Sequence, residues 1–134
     1  MRTIEFRGQS THSGEWLHGS LVSVEGNLHI VGPDDMCEDG HHIRQESDRP
    51  TWVKEETVGQ FTGICDMNGI KIFEGDVLMT EGITKKRFFE VRWVEERFMF
   101  FLGDLPLHEE VIKDKCLCNF SVAGNVHDNP LLNN

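Results

Sequence analysis

Four cysteines (Cys37, Cys65, Cys116 and Cys118) and the adjacent pair His41-His42 are the side chains of this sequence best suited to metal chemistry. A zinc site would draw on Cys116 and Cys118 with His41, His42 or Cys37. The Cys-x-Cys step has no second paired knuckle, however, and two neighbouring imidazoles are not a usual ligand pair. With no secretory context to favour disulfides, reduced thiols are expected. Cys116 and Cys118, two positions apart, should point to one face of a strand as small core residues. No metal or other cofactor is expected.

Other reactive patterns fail on spacing. Asp66-Met67-Asn68 begins like a calcium loop, but its glycine, Gly69, comes too early and no glutamate closes the loop. The chain has no Gly-x-x-x-x-Gly-Lys, Gly-x-Gly-x-x-Gly, Gly-x-Ser-x-Gly or His-Glu-x-x-His segment. A nuclease of the common restriction type needs an acidic residue two positions before a lysine, and no lysine here has one. Catalysis is therefore disfavoured. What remains is a possible interaction patch of polar side chains in the glycine-punctuated centre of the chain: Gln60, Thr62, Glu74 and Asp76. With Asn125, three of these (Gln60, Thr62 and Asp76) can also bridge backbone groups at turns, which is a structural use of the same chemistry.

Thirteen basic residues against 23 acidic ones leave a net charge of −10. Counterion release cannot favour nucleic acid over such a surface unless the cations gather on one face. The candidates are the cluster Lys85-Lys86-Arg87, otherwise a solvated hairpin tip, together with Arg92. No apolar run approaches the roughly 20 residues of a membrane span, and Met1-Arg2-Thr3-Ile4-Glu5 does not open like a signal peptide. A cytoplasmic protein is expected.

Helical periodicity is scarce and short strands between turns dominate. Ile4 and Phe6 begin a first strand. Residues 15–24 and 28–31 form a hairpin about Glu25-Gly26-Asn27, with Gly26 and Asn27 the residues that tolerate positive φ. Residues 32–50 are polar and aperiodic, an acidic loop, and Trp52 beyond it should cap one end of the core. Asn68-Gly69 signals a two-residue hairpin. Ile72-Phe73 and Val77-Leu78-Met79 flank the polar corner Glu74-Gly75-Asp76. Phe88–Val94 and Arg97–Phe100 read as strands about Glu95-Glu96, one helical turn falls within Leu105–Ile112, and Phe120–Val126 is the last strand before Asn129-Pro130.

These elements imply an all-β domain spanning residues 1–134, with possible subdomains at 1–56 and 57–134. An N-terminal β-hairpin layer would pack with a small C-terminal barrel of the Src-homology type. A strand such as Phe98–Leu102, if it lies at an edge, needs cover, which a homo-oligomer would supply.

Four islands of the sequence resemble the YopX family. Arg2, Ile4, Phe6, Arg7 and Gly8 form the first, and Gly14, Trp16 and Gly19 the second. Thr57–Gly63 with Asp66–Val77 is the most specific, and Val122–Pro130 with Leu132 closes the chain. Two departures stand out: Ile64-Cys65 replaces a commoner Leu-Lys pair, and residues 36–49 match nothing in the pattern. The resemblance implies a β-rich fold, carriage by bacteriophages or prophages, and no established activity. The leading expectation is accordingly a non-catalytic module acting through a host or phage protein, which the acidic charge would steer towards basic partners. A nucleic-acid-associated regulator is the alternative, and a metal-dependent enzyme built on His41 and His42 comes third.

Overall fold

The computed structural model describes residues 3–32, 51–97, 99–107, 112–113 and 115–128. The predicted acidic loop, with Cys37, His41 and His42, lies almost wholly outside them, as do half of the predicted helical turn (residues 108–111) and the Asn129-Pro130 terminus. The described chain is all-β, with 3-10 turns at Glu55–Thr57 and Glu95–Arg97. It divides into two compact units, Thr3–Gln60 and a second from Phe61 onward.

In the first unit, β1 (Phe6–Gln9), β2 (Trp16–Val24) and β3 (Asn27–Val31) form an antiparallel meander. The β2–β3 turn holds two residues, because Val24 faces Asn27. Glu25 and Gly26 take φ of 50° and 85°, the primed geometry that matches strand twist. Glu25, not Asn27, thus shares the positive φ with Gly26, and Asn27 opens β3. The other side of β1 takes the start of β4 (Gly59–Cys65), with Phe6 opposite Gln60 and Arg7 opposite Gly59.

Residues 51–54 are held from two directions. The Ile30 N–H donates to the Thr51 carbonyl at 2.9 Å and the Val53 N–H to that of Leu28 at 3.0 Å. On the β1 side, the Lys54 N–H donates to the Gln9 carbonyl at 2.9 Å and the Thr11 N–H to that of Trp52 at 3.0 Å. This extended run turns alternate side chains in and out. Val53 is consequently 2% exposed and Trp52 49% exposed, so Val53 fills the core position expected of Trp52. Thr57 closes the segment: its hydroxyl accepts the Gln9 N–H at 2.9 Å and donates to the Lys54 carbonyl. The Arg7 guanidinium, itself buried, lies 4.8 Å from the centre of the Trp16 ring, a cation–π contact.

The second unit is a β-sandwich. One layer is the remainder of β4 with β5 (Lys71–Phe73) antiparallel to it, β11 (Cys116–Leu117) parallel to it, and β10 (Ile112–Lys113) beyond β11. The other contains β6 (Asp76–Glu81), β7 (Lys86–Val94), β8 (Met99–Leu102), β9 (Leu105–Pro106) and β12 (Ser121–Asn125), in the order β12-β6-β7-β8-β9. Ile72, Leu78, Val91, Leu102, Leu107, Leu117 and Phe120 form the buried core, with Ile64, Phe89, Phe100 and Val122 packed against it. Truncating a core leucine or isoleucine to alanine costs about 2–5 kcal/mol.

No pairing among the described residues closes this sheet order into a ring, so the expected Src-homology barrel gives way to two open layers. Where an edge strand is expected, β8 (Met99–Leu102) is flanked by β7 and β9 on its two sides. Glu74-Gly75 form the corner through which the chain passes from one layer, at β5, to the other, at β6. A bulge bends β4 between Phe61 and Cys65, and Gly63 within it has φ 93°, a conformation that a Cβ would strain. Among the described residues no helix is long and apolar enough to cross a membrane.

Candidate functional site

The four residues of the predicted patch divide between the units. Gln60 is the last residue of the first, half-buried opposite Phe6 in β4. Thr62, Glu74 and Asp76 belong to the second. The Thr62 hydroxyl donates to the Ile72 carbonyl at 2.8 Å and thereby supports the bulged β4–β5 pairing. Asp76 is 2% exposed, and its Oδ2 accepts the Phe73 N–H at 2.8 Å across the corner. Glu74 is half-buried at that corner. Asn125 works in the same way, its Oδ1 accepting the N–H groups of His127 and Asp128 at 3.0 and 2.8 Å. Asp76 and Asn125 therefore make the turn bridges their side chains suit, whereas Thr62 bridges two strands.

Asp66 carries more of the fold than the sequence suggests. It is fully buried. Oδ1 accepts the N–H groups of Asn68 at 2.8 Å and Ile70 at 2.9 Å, and Oδ2 accepts that of Val122, in the opposite layer, at 2.9 Å. Cys65 faces Lys71, so residues 66–70 form a longer loop organised about Asp66 in place of the predicted two-residue hairpin at Asn68-Gly69. Gly69 keeps its turn role with φ 82°.

This loop forms one wall of an open groove of about 570 Å³ lined by Met67, Met79, Thr80, Glu81, Cys118, Asn119 and Ser121. Ser121 and Met79 are cross-strand partners of β12 and β6. The Met67 N–H donates to the Phe120 carbonyl at 2.9 Å, which sets the loop against the start of β12. Its side chain is 55% exposed and that of Ile70, on the same loop, 52%. Two thioethers, hydroxyls, an amide and one carboxylate equip the groove for apolar contact and hydrogen bonding. The lining residues Met67, Met79 and Ser121 are far apart in sequence, and nothing in local patterning signals that they meet.

The expected basic face forms only in part. Lys86, Phe88 and Arg92 share one face of β7 by strand parity, whereas Arg87 takes the other. Glu81 stands opposite Lys86. The Arg92 guanidinium lies 5.8 Å from the Phe101 ring, donates to the Gly103 carbonyl at 3.2 Å and approaches Asp104 at 3.7 Å. Among the described residues no group of three His, Cys, Asp or Glu side chains is placed to hold a metal ion. Cys116 and Cys118 do not share a core face: Leu117, between them, is buried, Cys116 is half-buried beside Cys65, and Cys118 is exposed beyond the end of β11. Burial pushes the Cys65 thiol up from its ordinary pKa, and the adjacent Cys116 thiol adds to the rise.

A family model described as "YopX protein" matches residues 5–133. No curated protein matches the chain. Among solved structures, the crystal structure of protein EF1440 from Enterococcus faecalis is similar, with a TM-score of 0.50, 20% sequence identity, and coverage of 98% of this chain and 99% of that one. At that identity the likeness concerns the fold alone.

Proposed function

The chain belongs to the YopX family, and on that premise we propose that it is a non-catalytic interaction module. In this reading it is a bacteriophage or prophage accessory protein, acting in the host cytoplasm on a basic, partly apolar segment of a host or phage protein. The groove carries the reading. Met67 and Met79 are flexible, polarisable side chains that adapt to varied apolar partners, Glu81 adds a carboxylate at the same place, and a net charge of −10 steers basic partners towards it. The polar residues of the central motif support this indirectly. Asp66, Thr62 and Asp76 each hold backbone groups by hydrogen bonds, a use that suits a scaffold presenting a surface.

The test is purification of the tagged full chain, gently and at low salt, from phage-infected host cells. A stoichiometric protein partner that is lost from both Met67→Asp and Glu81→Lys chains is the expected result. A chain that captures no protein while turning over a substrate overturns the proposal.

One observation favours a second reading, association with nucleic acid: Lys86, Phe88, Arg92 and Phe101 place cations and aromatic rings on neighbouring strands. Glu81 and Asp104 offset those cations. Affinity falling steeply with salt is the signature of this alternative, and no binding at low salt rules it out.

A further inference from the structure

Cys65 and Cys116 stand directly opposite each other where β11 runs parallel to β4. Both are half-buried free thiols, close enough for the Cys116 thiol to hold the Cys65 proton in place. The register is anchored next door, where the Cys65 N–H donates to the Lys115 carbonyl at 2.8 Å. Neighbouring strands lie about 4.7–4.9 Å apart, inside the Cα separation of about 4.4–6.8 Å that a disulfide spans. Lys115, at the start of the turn into β11, has φ 64°, and β11 itself is two residues long. So short a strand can adjust its backbone to a new bond without disturbing the five-stranded layer.

We propose that Cys65 and Cys116 form a dithiol–disulfide pair, oxidised by hydrogen peroxide, that fastens β11 covalently to β4. One thiol sulfur, as its thiolate, attacks the peroxide; the O–O bond breaks, and sulfenic acid and one water result. The second sulfur then attacks the sulfenic sulfur. The S–O bond breaks, the oxygen leaves as a second water with the proton of the second thiol, and the S–S bond forms. The two thiols together lose two electrons and two protons, and one hydrogen peroxide takes up both. Because the bond joins positions far apart in sequence, it restricts the unfolded chain as well as the native sheet.

Cys118 is the internal contrast. It is exposed, lies past the end of β11 and has no facing position in β4. Its exposure makes ready alkylation the expected outcome, without its becoming the intramolecular partner of Cys65.

The full chain carrying Cys37→Ser and Cys118→Ser, fully reduced, is treated with stoichiometric hydrogen peroxide, denatured, alkylated and mapped by mass spectrometry. Trypsin separates Cys65, in the peptide 55–71, from Cys116, in the peptide beginning at 116. The proposal expects loss of both alkylation sites, a mass lower by two hydrogens, and one cross-linked pair of these peptides. Dithiothreitol should restore both free thiols. The oxidised chain should also unfold at a higher midpoint temperature than the reduced one. Two thiols that stay alkylatable, or that proceed separately to sulfinic acid, overturn the proposal. Should the double variant fail to fold, the same mapping of the unmutated chain decides it. There, a link between peptide 55–71 and the C-terminal peptide that persists in Cys118→Ala supports the pair, and a link that vanishes overturns it.

Discussion

The Asp66 carboxylate accepts the Val122 N–H at 2.9 Å, so a loop residue of one layer of the sandwich fixes the edge strand of the other. The contact spans 56 positions of sequence. It occupies one carboxylate oxygen while the other holds the loop N–H groups of Asn68 and Ile70.

Replacing Asp66 by Asn should therefore destabilise the second unit strongly. An amide keeps the shape but turns a donor towards at least one backbone N–H that now meets an acceptor. Hydrogen bonds to charged groups contribute about 1.5–3 kcal/mol each, and stranded buried donors add to the loss. A loss of roughly 3–5 kcal/mol is expected from chemical denaturation. A loss below about 1 kcal/mol would mean the carboxylate is dispensable.

Gly19 makes a different kind of demand. A Cβ at this position would overlap the Val31 carbonyl oxygen, and Gly19 also carries φ of 157°. Backbone, unlike a flexible side chain, cannot swing aside. Gly19→Ala should cost roughly 2–3 kcal/mol and weaken protection of the β2–β3 amides in hydrogen exchange. Unchanged protection at Val31, the partner of Ser20, would refute the steric account.

The Cys65 thiol gives the stability a pH dependence of known sign. Burial, then the neighbouring Cys116, raises its pKa in the folded chain, so the native state holds this proton more tightly than the unfolded state does. The contribution is complete below the ordinary thiol value of about 8.5. It is lost as pH rises past that value towards the higher folded one. Under reducing conditions, stability should fall more between about pH 8 and about pH 10 in the unmutated chain than in Cys65→Ser. Parallel profiles for the two chains would sink the assignment.

Much of the fold is legible because strand composition is a local signal. Residues 28–31, 77–79 and 88–94 read as strands from their apolar, Val and aromatic content between turns, and Ile30, Val77, Leu78 and Val91 are core. The corner Glu74-Gly75-Asp76 is legible because its chemistry is local: Asp76 reaches back to Phe73, three positions away. What escaped was non-local. A barrel and a sandwich share the same strand signals and differ only in which distant strands pair, as β12 does with β6. Asn68-Gly69 reads as a two-residue hairpin because the pair alone does not show that the Asp66 carboxylate gathers the loop N–H groups of Asn68 and Ile70. Trp52 and Val53 were exchanged since a three-residue run carries no parity of its own until Leu28 and Gln9 pair with its flanks. The groove stayed hidden for the same reason, its walls coming from three separate segments.

The groove also separates the roles of one residue's backbone and side chain. The Met67 N–H is committed to the Phe120 carbonyl, while its side chain is 55% exposed and lines the opening beside Met79 and Glu81. Met67→Asp leaves the backbone bond intact and should change stability by no more than about 0.5 kcal/mol, as surface substitutions generally do. An apolar contact replaced by a carboxylate should nevertheless lower partner capture at least tenfold. Glu81→Lys acts through charge, so its defect should shrink as added salt screens the repulsion, whereas that of Met67→Asp should persist. If both variants capture the partner at the unmutated level while remaining folded, the binding surface lies elsewhere on the chain.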